Sequence, residues 1–273
     1  PLIRMTRTPI LTTLHGRLDL RDIEAAFNAF ADCALVSISD RQREPMPHLR
    51  WVRTIRHGLA VDDFRYEERP GSYLAFLGRI DADKRPDYAI QIAKRSGVPL
   101  KIAAKIEGPV AQQYYDTHVK PHVDGKFIEY VGEIHDGQKS DFLGGALALA
   151  FPIDWPEPFG LVMIEALACG TPVLARPMGS VPEILEDGVT GYVDPDVDRL
   201  GDRVRDLGSI SRRACREWVE TRFSLQRMTE EYIHVYRHLA QFAHARNRTL
   251  PGLQSDHHRR DLLYSVERAA DRN

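Results

Sequence analysis

The chain has 273 residues, with 37 Lys or Arg against 39 Asp or Glu, a formal net charge of −2 that excludes a dedicated nucleic-acid backbone binder. A hydrophobic fraction of 43% excludes global disorder, and apolar runs such as 146–153 fall far short of the roughly 20 residues that span a bilayer. Cys33, Cys169 and Cys215 form no Cys-x-x-Cys pair, so we expect neither a disulfide framework nor a zinc ribbon. We therefore expect a cytoplasmic protein, and one without a transmembrane segment.

Residues 1–70 predict about half of an α/β domain. Apolar runs indicate strands at 10–14, 34–39 and 51–56 and a helix at 20–30. A complete doubly wound unit needs ~100–150 residues, so we expect an incomplete N-terminal Rossmann-like domain whose first strands are absent. The charged segment 65–71 ends in Pro-Gly and is typical of an interdomain linker.

From residue 71 onward, short β-rich runs alternate with segments of helical period, which predicts βαβ units and a parallel sheet over 71–222. We expect a C-terminal helix at 223–245 and a tail at 246–273 with a helix at 261–270. The Ser180-x-x-Glu183 spacing predicts a capping box. The predicted strands are 73–77, 100–104, 127–131, 147–152 and 172–175; the predicted helices are 85–95, 110–122, 137–145, 159–169, 180–186, 196–207, 211–221 and 224–242.

A strand-to-helix junction at 151–166 carries the strongest chemical signal. We expect the helix to begin around Pro158 to Gly160, exposing the amides of Phe159, Gly160 and Leu161 to an anion such as a phosphate. Carboxylates accept paired hydrogen bonds, so Glu165 could hold the diol of a ribose and Glu157 that of a sugar. The alternative is that Glu157 caps the helix and Glu165 is a solvated surface charge.

The loop after the first strand of the larger unit, 78–84, carries two cations. Arg79 and Lys84 lie five positions apart and could clamp two phosphates, or they could be ordinary surface charges. The Asp-x-Asp sequences at 81–83 and 194–196 are explained by turn chemistry, so we expect no metal site.

The chain resembles the family 4 glycosyltransferases, which are retaining enzymes of the GT-B type. The resemblance extends from about residue 8 to about residue 240 and depends on "FLGRIDADKRPD", "VGEI", "FPIDWPEPFGLVMIEALACGTPVLA" and "GSVPEILEDGVTG". It implies an α/β fold with two Rossmann-like, doubly wound parallel-sheet domains: an incomplete acceptor-side domain at 1–70 and a donor-binding domain at 71–222. The family's first glycine-rich loop is missing.

The resemblance also implies roles for the residues singled out above. Arg79 and Lys84, with the amides of Phe159, Gly160 and Leu161, would bind the donor diphosphate, and Glu165 would hold the ribose. Glu157 would contact the transferred sugar in a catalytic role. The backbone of Gly132, Glu133 and Ile134 would face the base.

Two histidines lie in the predicted N-terminal part. His15 follows the first strand, where the family often has a histidine facing the reaction centre, so it is a second catalytic candidate; the alternative is a loop histidine satisfied by backbone groups. His57 stands where many relatives have Asn, which leaves that position without an expected role.

These observations predict a glycosyltransferase that moves a hexose from a nucleoside-diphosphate sugar to an acceptor hydroxyl with retention. No cofactor or metal is expected beyond the nucleotide-sugar co-substrate, and the acceptor could be a sugar, a lipid-linked sugar or a small molecule. Many relatives use lipid-linked acceptors, so peripheral attachment at the inner membrane face stays open. The alternatives are a non-catalytic nucleotide-sugar binding module or inactive fragment and, remotely, a nicotinamide dehydrogenase, which lacks its Gly-x-Gly-x-x-Gly turn here.

Overall fold

A computed structural model describes residue 6 and residues 8–249, with side chains up to residue 241. The strands are β1 (Leu11–Thr13), β2 (Ala34–Ser37), β3 (Trp51–Thr54), β4 (Leu74–Arg79), β5 (Leu100–Lys105), β6 (Ile128–Gly132), β7 (Ala148–Phe151), β8 (Val173–Ala175) and β9 (Gly191–Val193). The α-helices are α1 (Arg21–Ala29), α2 (Pro86–Ser96), α3 (Gly108–Tyr114), α4 (Asp136–Gly144), α5 (Leu161–Ala168), α6 (Val181–Ile184), α7 (Val197–Arg203), α8 (Arg212–Arg222) and α9 (Leu225–Thr249).

The larger sheet is entirely parallel, with strand order β6-β5-β4-β7-β8-β9. Its central strands are apolar and buried on both faces, as parallel strands covered by helices must be. The order reverses between β4 and β7, which is the doubly wound pattern. The predicted α/β fold with parallel sheets is confirmed. Ligands of such sheets bind outside the carboxyl ends of the strands at this reversal, so the loops after β4 and β7 are where a site is expected.

The smaller sheet is also parallel, with strand order β1-β2-β3. Helix α9 returns to cover it, because Val235 packs in one apolar cluster with Val36 and Ile55. The hydroxyl of Tyr232 lies 2.9 Å from that of Thr13. The C-terminal helix therefore belongs to the packing of the first sheet, although it follows the second in sequence.

The segment 65–71 is a packed strap between the two sheets. The guanidinium of buried Arg212 donates to the carbonyl of Glu67 at 2.7 Å and to those of Gly144 and Ala146 at 2.9 and 3.0 Å. The close approach leaves no room for a side chain at Gly71, where a Cβ would lie 1.6 Å from the carbonyl oxygen of Gly145. The charged composition of the strap does not make it a loose linker, because its backbone groups are satisfied by the core.

Several predicted elements differ from those observed. The sequence pattern does not predict strand β9, because its three residues directly follow two turn signals. Strand β4 continues through Arg79 instead of ending at residue 77. The predicted helix 110–122 is not continuous. Helix α3 passes into a π-helical turn and then into a 3₁₀ turn that contains Pro121, which has no N–H to continue an α-helix. The predicted helix at 261–270 and most of the predicted tail lie outside the described residues.

None of the helices formed by residues 8–249 combines the length and apolar character needed to cross a bilayer.

Candidate functional site

The loops that follow β4 and β7 are joined directly. The backbone N–H of Asp154 donates to the carbonyl of Asp83 at 2.9 Å. Next to this bond, the Lys84 ammonium donates to Oε2 of Glu157 in a short ion pair. Both side chains are largely buried, at 17% and 11% exposed. The two charges therefore attract each other more strongly than they would in bulk water. The sequence motifs predict each residue in the site but do not predict that they pair.

Trp155 completes the support of this carboxylate. Its indole Nε1–H donates to the same Oε2 of Glu157 at 3.0 Å, and the Lys84 Nζ lies 4.6 Å from the indole centroid. Lys84 and Trp155 thus hold Glu157 in one orientation. The alternative that Glu157 caps helix α5 is not observed, since no side chain caps that helix.

Helix α5 begins at Leu161, one residue later than the predicted range of starts. Pro158 is not in its first turn, because Gly160 adopts a left-handed conformation (φ 80°) that separates the loop from the helix. A Cβ at Gly160 would lie 2.7 Å from Cε of Met163 and 3.2 Å from Cζ of Phe151. The first amides of a helix have no partner inside it, which gives its N-terminus a partial positive charge. In α5 this end lies beside Glu157, because a Cβ at Gly160 would be 3.3 Å from Cγ of Glu157.

Glu165 is buried in α5 rather than solvated. Its Oε1 accepts from Nζ of Lys139 in α4 at 3.1 Å, and Lys139 also lies 3.0 Å from Asp136. Burial alone would lower the pKa of Lys139, but the two carboxylates raise it above its usual value. The alternative of a solvated surface charge is therefore wrong, and Lys139 is a partner that no local sequence pattern indicates.

Arg79 and the segment 132–134 lie at the same edge of the sheet but apart from this pair. Arg79 ends β4, its side chain is 56% exposed, and its Nη2 lies 3.9 Å from Asp81. Gly132 ends the outer strand β6 with φ 79°, and Glu133 and Ile134 lead toward α4, the helix of Lys139. The structure thus places Arg79 at the reversal point and 132–134 at the outer strand, and joins neither to Glu157.

His15 and His57 connect the smaller sheet to this site. Their rings are stacked, with centroids 5.2 Å apart and an interplanar angle of 11°. The edge of His57 meets the ring of Phe159, with 4.9 Å between centroids. Burial and the neighbouring His15 lower the pKa of His57 to about 4, so its ring is neutral at physiological pH. His57, for which the sequence indicated no role, is the contact that brings His15 to the loop of Glu157.

A shallow pocket lies between the two sheets beside Glu157. Arg17, Asp19 and Gln42 line one side, and Glu157 and Gly179 line the other. Arg17 forms two 2.7 Å hydrogen bonds with Asp19, and its guanidinium carbon lies 5.3 Å from the centroid of an indole ring, that of Trp155. Loops that follow strands of the smaller sheet thus line the pocket opposite Glu157.

The predicted capping box at the start of α6 is wrong. The Ser180 hydroxyl donates to the carbonyl of Phe159 at 2.9 Å. The Glu183 carboxylate instead accepts the backbone N–H groups of Asp40 and Arg41. The predicted Asp-x-Asp turns are confirmed: Asp81 accepts the N–H two positions on at 2.7 Å, and Asp194 does the same at 2.8 Å.

Comparison with known proteins gives a consistent result. The family model described as glycosyl transferases group 1 matches residues 64–221. A D-inositol 3-phosphate glycosyltransferase of Saccharomonospora viridis is 26% identical over 219 residues, covering 68% of this chain and 50% of the relative. The chain spans about half the length of the curated relatives it matches.

Two solved structures share the fold. Sucrose-phosphate synthase of Thermosynechococcus elongatus has a TM-score of 0.75 at 18% identity, covering 88% of this chain and 70% of that one. HepE of Anabaena, solved with UDP and glucose, has a TM-score of 0.75 at 15% identity, covering 86% of this chain and 73% of its own. Both likenesses agree with the GT-B-type arrangement expected from the sequence.

Proposed function

The chain belongs to the glycosyl transferases group 1 family, and we propose that it transfers a hexose from a nucleoside-diphosphate sugar to an acceptor hydroxyl with retention of anomeric configuration, as in family 4. The observation that carries this proposal is the Lys84–Glu157 pair at the start of α5. It places a cation, a carboxylate and helix amides together at the reversal point of a doubly wound sheet.

The diphosphate would lie against the start of α5. Lys84 has three N–H donors, so it can keep its bond to Glu157 and donate to a phosphate oxygen at the same time. The amides of Phe159, Gly160 and Leu161 and the guanidinium of Arg79 would supply further positive charge. This charge stabilises the departing diphosphate by preorganised electrostatics, and no metal ion is part of the proposal.

The sugar and the nucleoside would lie on opposite sides of the diphosphate. Lys84 and Trp155 both donate to Oε2 of Glu157, so we assign Oε1 to a hydroxyl of the transferred sugar. Glu165 would accept from the ribose, and the backbone of 132–134 would face the base. HepE was solved with UDP and glucose, which makes UDP-glucose the first donor to test.

In the proposed reaction, the bond between the anomeric carbon and the diphosphate breaks, and the electron pair leaves with the diphosphate. The acceptor oxygen bonds to that carbon from the same face, and its proton passes to the departing group. His15, which stacks on His57, would orient the sugar or the acceptor from the side of the smaller sheet. The acceptor stays unassigned, although the curated relative named above acts, by its name, on D-inositol 3-phosphate.

Calorimetric titration of the full chain with UDP, GDP and ADP tests the donor site. We expect one of them to bind and the double variant Arg79→Ala, Lys84→Ala to lose that binding, because two cations facing the diphosphate are removed. The double variant Lys120→Ala, Arg199→Ala is the matched control, since it removes the same charge from side chains that are 65% and 70% exposed.

Two results would contradict the proposal: binding that survives in the Arg79, Lys84 variant, or failure of all three nucleotides to bind the folded chain. Binding without any sugar transfer would instead favour the alternative of a non-catalytic nucleotide-sugar binding module.

A further inference from the structure

Gln42 is buried and fixes the backbone on both sides of His15. It lies in the turn between β2 and β3 and is 5% exposed. Its Nε2 donates to the carbonyls of Leu14 and Gly16 at 3.0 and 2.8 Å, and its Oε1 accepts from the N–H of Ile38 at 2.9 Å. Both donors of the amide are therefore used on the residues that flank His15.

Glu183 holds the same turn from the larger sheet. Its Oε2 and Oε1 accept the backbone N–H groups of Asp40 and Arg41 at 2.9 and 2.8 Å, and Arg56 donates to Oε2 at 2.9 Å. These amides begin the 3₁₀ turn Arg41–Arg43 and have no partner inside it. The carboxylate thus caps a helical turn of the other sheet with charge-assisted hydrogen bonds.

The other end of this connection is the backbone of Glu157. Ser180, three residues before Glu183, donates its N–H to the carbonyl of Glu157 at 2.9 Å. Hydrogen bonds therefore run from Glu157 through Ser180 and Glu183 to the turn at 40–43, and through Gln42 to the residues around His15. The short segments between them leave little freedom for the two catalytic candidates to move apart.

We propose that Gln42 and Glu183 are positioning residues that set His15 at a fixed place relative to Glu157. The proposal rests on the proposed function, since it concerns the same reaction. The polar atoms of both side chains are occupied by other protein groups: Glu183 holds the 40–41 turn, and Gln42, which lines the pocket, fixes the backbone on either side of His15.

Two isosteric variants test the proposal. Gln42→Glu replaces the amide donors by an oxygen that faces two carbonyls, and Glu183→Gln removes the charge and one acceptor. Glu44→Gln is the matched control, because Glu44 lies beside the same turn and pairs with Arg41 at 60% exposure. If Gln42→Glu does not fold, Glu183→Gln still decides, since it alters only the contacts between the two sheets.

The kinetic readout is release of sugar from UDP-glucose, GDP-mannose and ADP-glucose by the full chain. We expect both variants to lower kcat by about 100-fold, the usual cost of a small misplacement at a reacting centre. Donor KM and nucleoside-diphosphate affinity stay unchanged, because the donor-binding groups of the larger sheet are intact. A rise in KM at constant kcat would overturn the positioning role.

A second readout needs no activity. The stacked rings of His15 and His57 predict a nuclear Overhauser contact between them, which is kept in Glu44→Gln and lost in both test variants. A contact that persists in both overturns the proposal. Failure of every nucleotide to bind would instead contradict the proposed function, while the ring contact would still report whether Gln42 and Glu183 place His15.

Discussion

Glu157 and Glu165 each meet a lysine inside the fold, Lys84 and Lys139 respectively. A largely buried carboxylate without a partner would lose much of its solvation. Each lysine pairs with one oxygen of its glutamate and thereby orients the carboxylate. This pairing explains how two glutamates can be buried in the fold.

The stacked histidines give a prediction in pH. Burial first, and His15 second, lower the pKa of His57 from 6.5 to about 4. As the pH falls below 6.5, the unfolded chain takes up this proton before the folded chain does. The free energy of unfolding is therefore highest above pH 6.5 and decreases as the pH falls toward 4. We expect the His57 ring to titrate near pH 4 by NMR and His57→Gln to reduce the loss of stability across this range. A His57 midpoint near 6.5 would contradict the burial described.

At the level of single residues, the sequence indicates Lys84, Glu157 and Glu165 as candidate site residues, because they lie in local motifs with fixed spacing. It did not predict Lys139, His57 or the contact of Glu183 with the 40–41 turn. Those partners are 26, 42 and 143 positions away from the groups they meet. Their pairing is set by how helices and loops pack, which no local period encodes.

Among the elements, the entry into α5 depends on two glycines with positive φ. Gly160 separates loop from helix, and Gly179 lies against the backbone of Glu157. A Cβ at Gly179 (φ 52°) would lie 2.4 Å from both N and O of Glu157. Since these are backbone atoms, the loop itself would have to move.

Substitution of Gly179 tests this contact. We expect Gly179→Ala to displace Glu157 and to reduce sugar release from the donor by about 10-fold or more, in addition to a loss of stability of ~1–2 kcal/mol from the left-handed conformation. Gly188→Ala is the control, because Gly188 also has positive φ (76°) but nothing lies near its Cβ position. Equal activity of the two variants would show that the close contact does not position Glu157.

The elements themselves were largely predictable from the sequence. The ends of β5 and α2 fall within one residue of expectation, since the apolar period and Gly97 mark them clearly. Strand β9 and the start of α5 were not predictable. Strand β9 has only three residues, which is too short for an alternating pattern to be recognised. Pro158 favours a helix start at that position, but the left-handed conformation of Gly160 shifts the start of α5 to Leu161.

For the whole molecule, the strap at 65–71 is held by α8. Arg212 donates to a carbonyl of the strap and to carbonyls between α4 and β7, while Arg213 is exposed and pairs with Glu217. We expect Arg212→Ala to lower the free energy of unfolding by about 3 kcal/mol, because several buried carbonyls lose a charged donor. Arg213→Ala should change it by less than about 0.5 kcal/mol. Urea denaturation measures both, and similar values would contradict the role of Arg212.

The order of strands explains why the site forms where it does. β4 and β7 are separated by 68 residues between Arg79 and Ala148 in the chain but are neighbours in the sheet. Sequence alternation predicted a parallel sheet, yet alternation alone does not fix which strands pair. The reversal between β4 and β7 brings Lys84 to Glu157 and turns two separate motifs into one site.

The central claim is that Glu157, held by Lys84 and Trp155, orients a donor sugar for transfer. The most direct test is the rate of sugar release or transfer from UDP-glucose, GDP-mannose and ADP-glucose by the full chain and by Glu157→Ala. We predict that the variant keeps its fold and nucleotide affinity but loses about 100-fold or more in turnover, while Glu107→Gln, at a side chain 63% exposed, does not change. Near-normal turnover in Glu157→Ala would contradict the assignment.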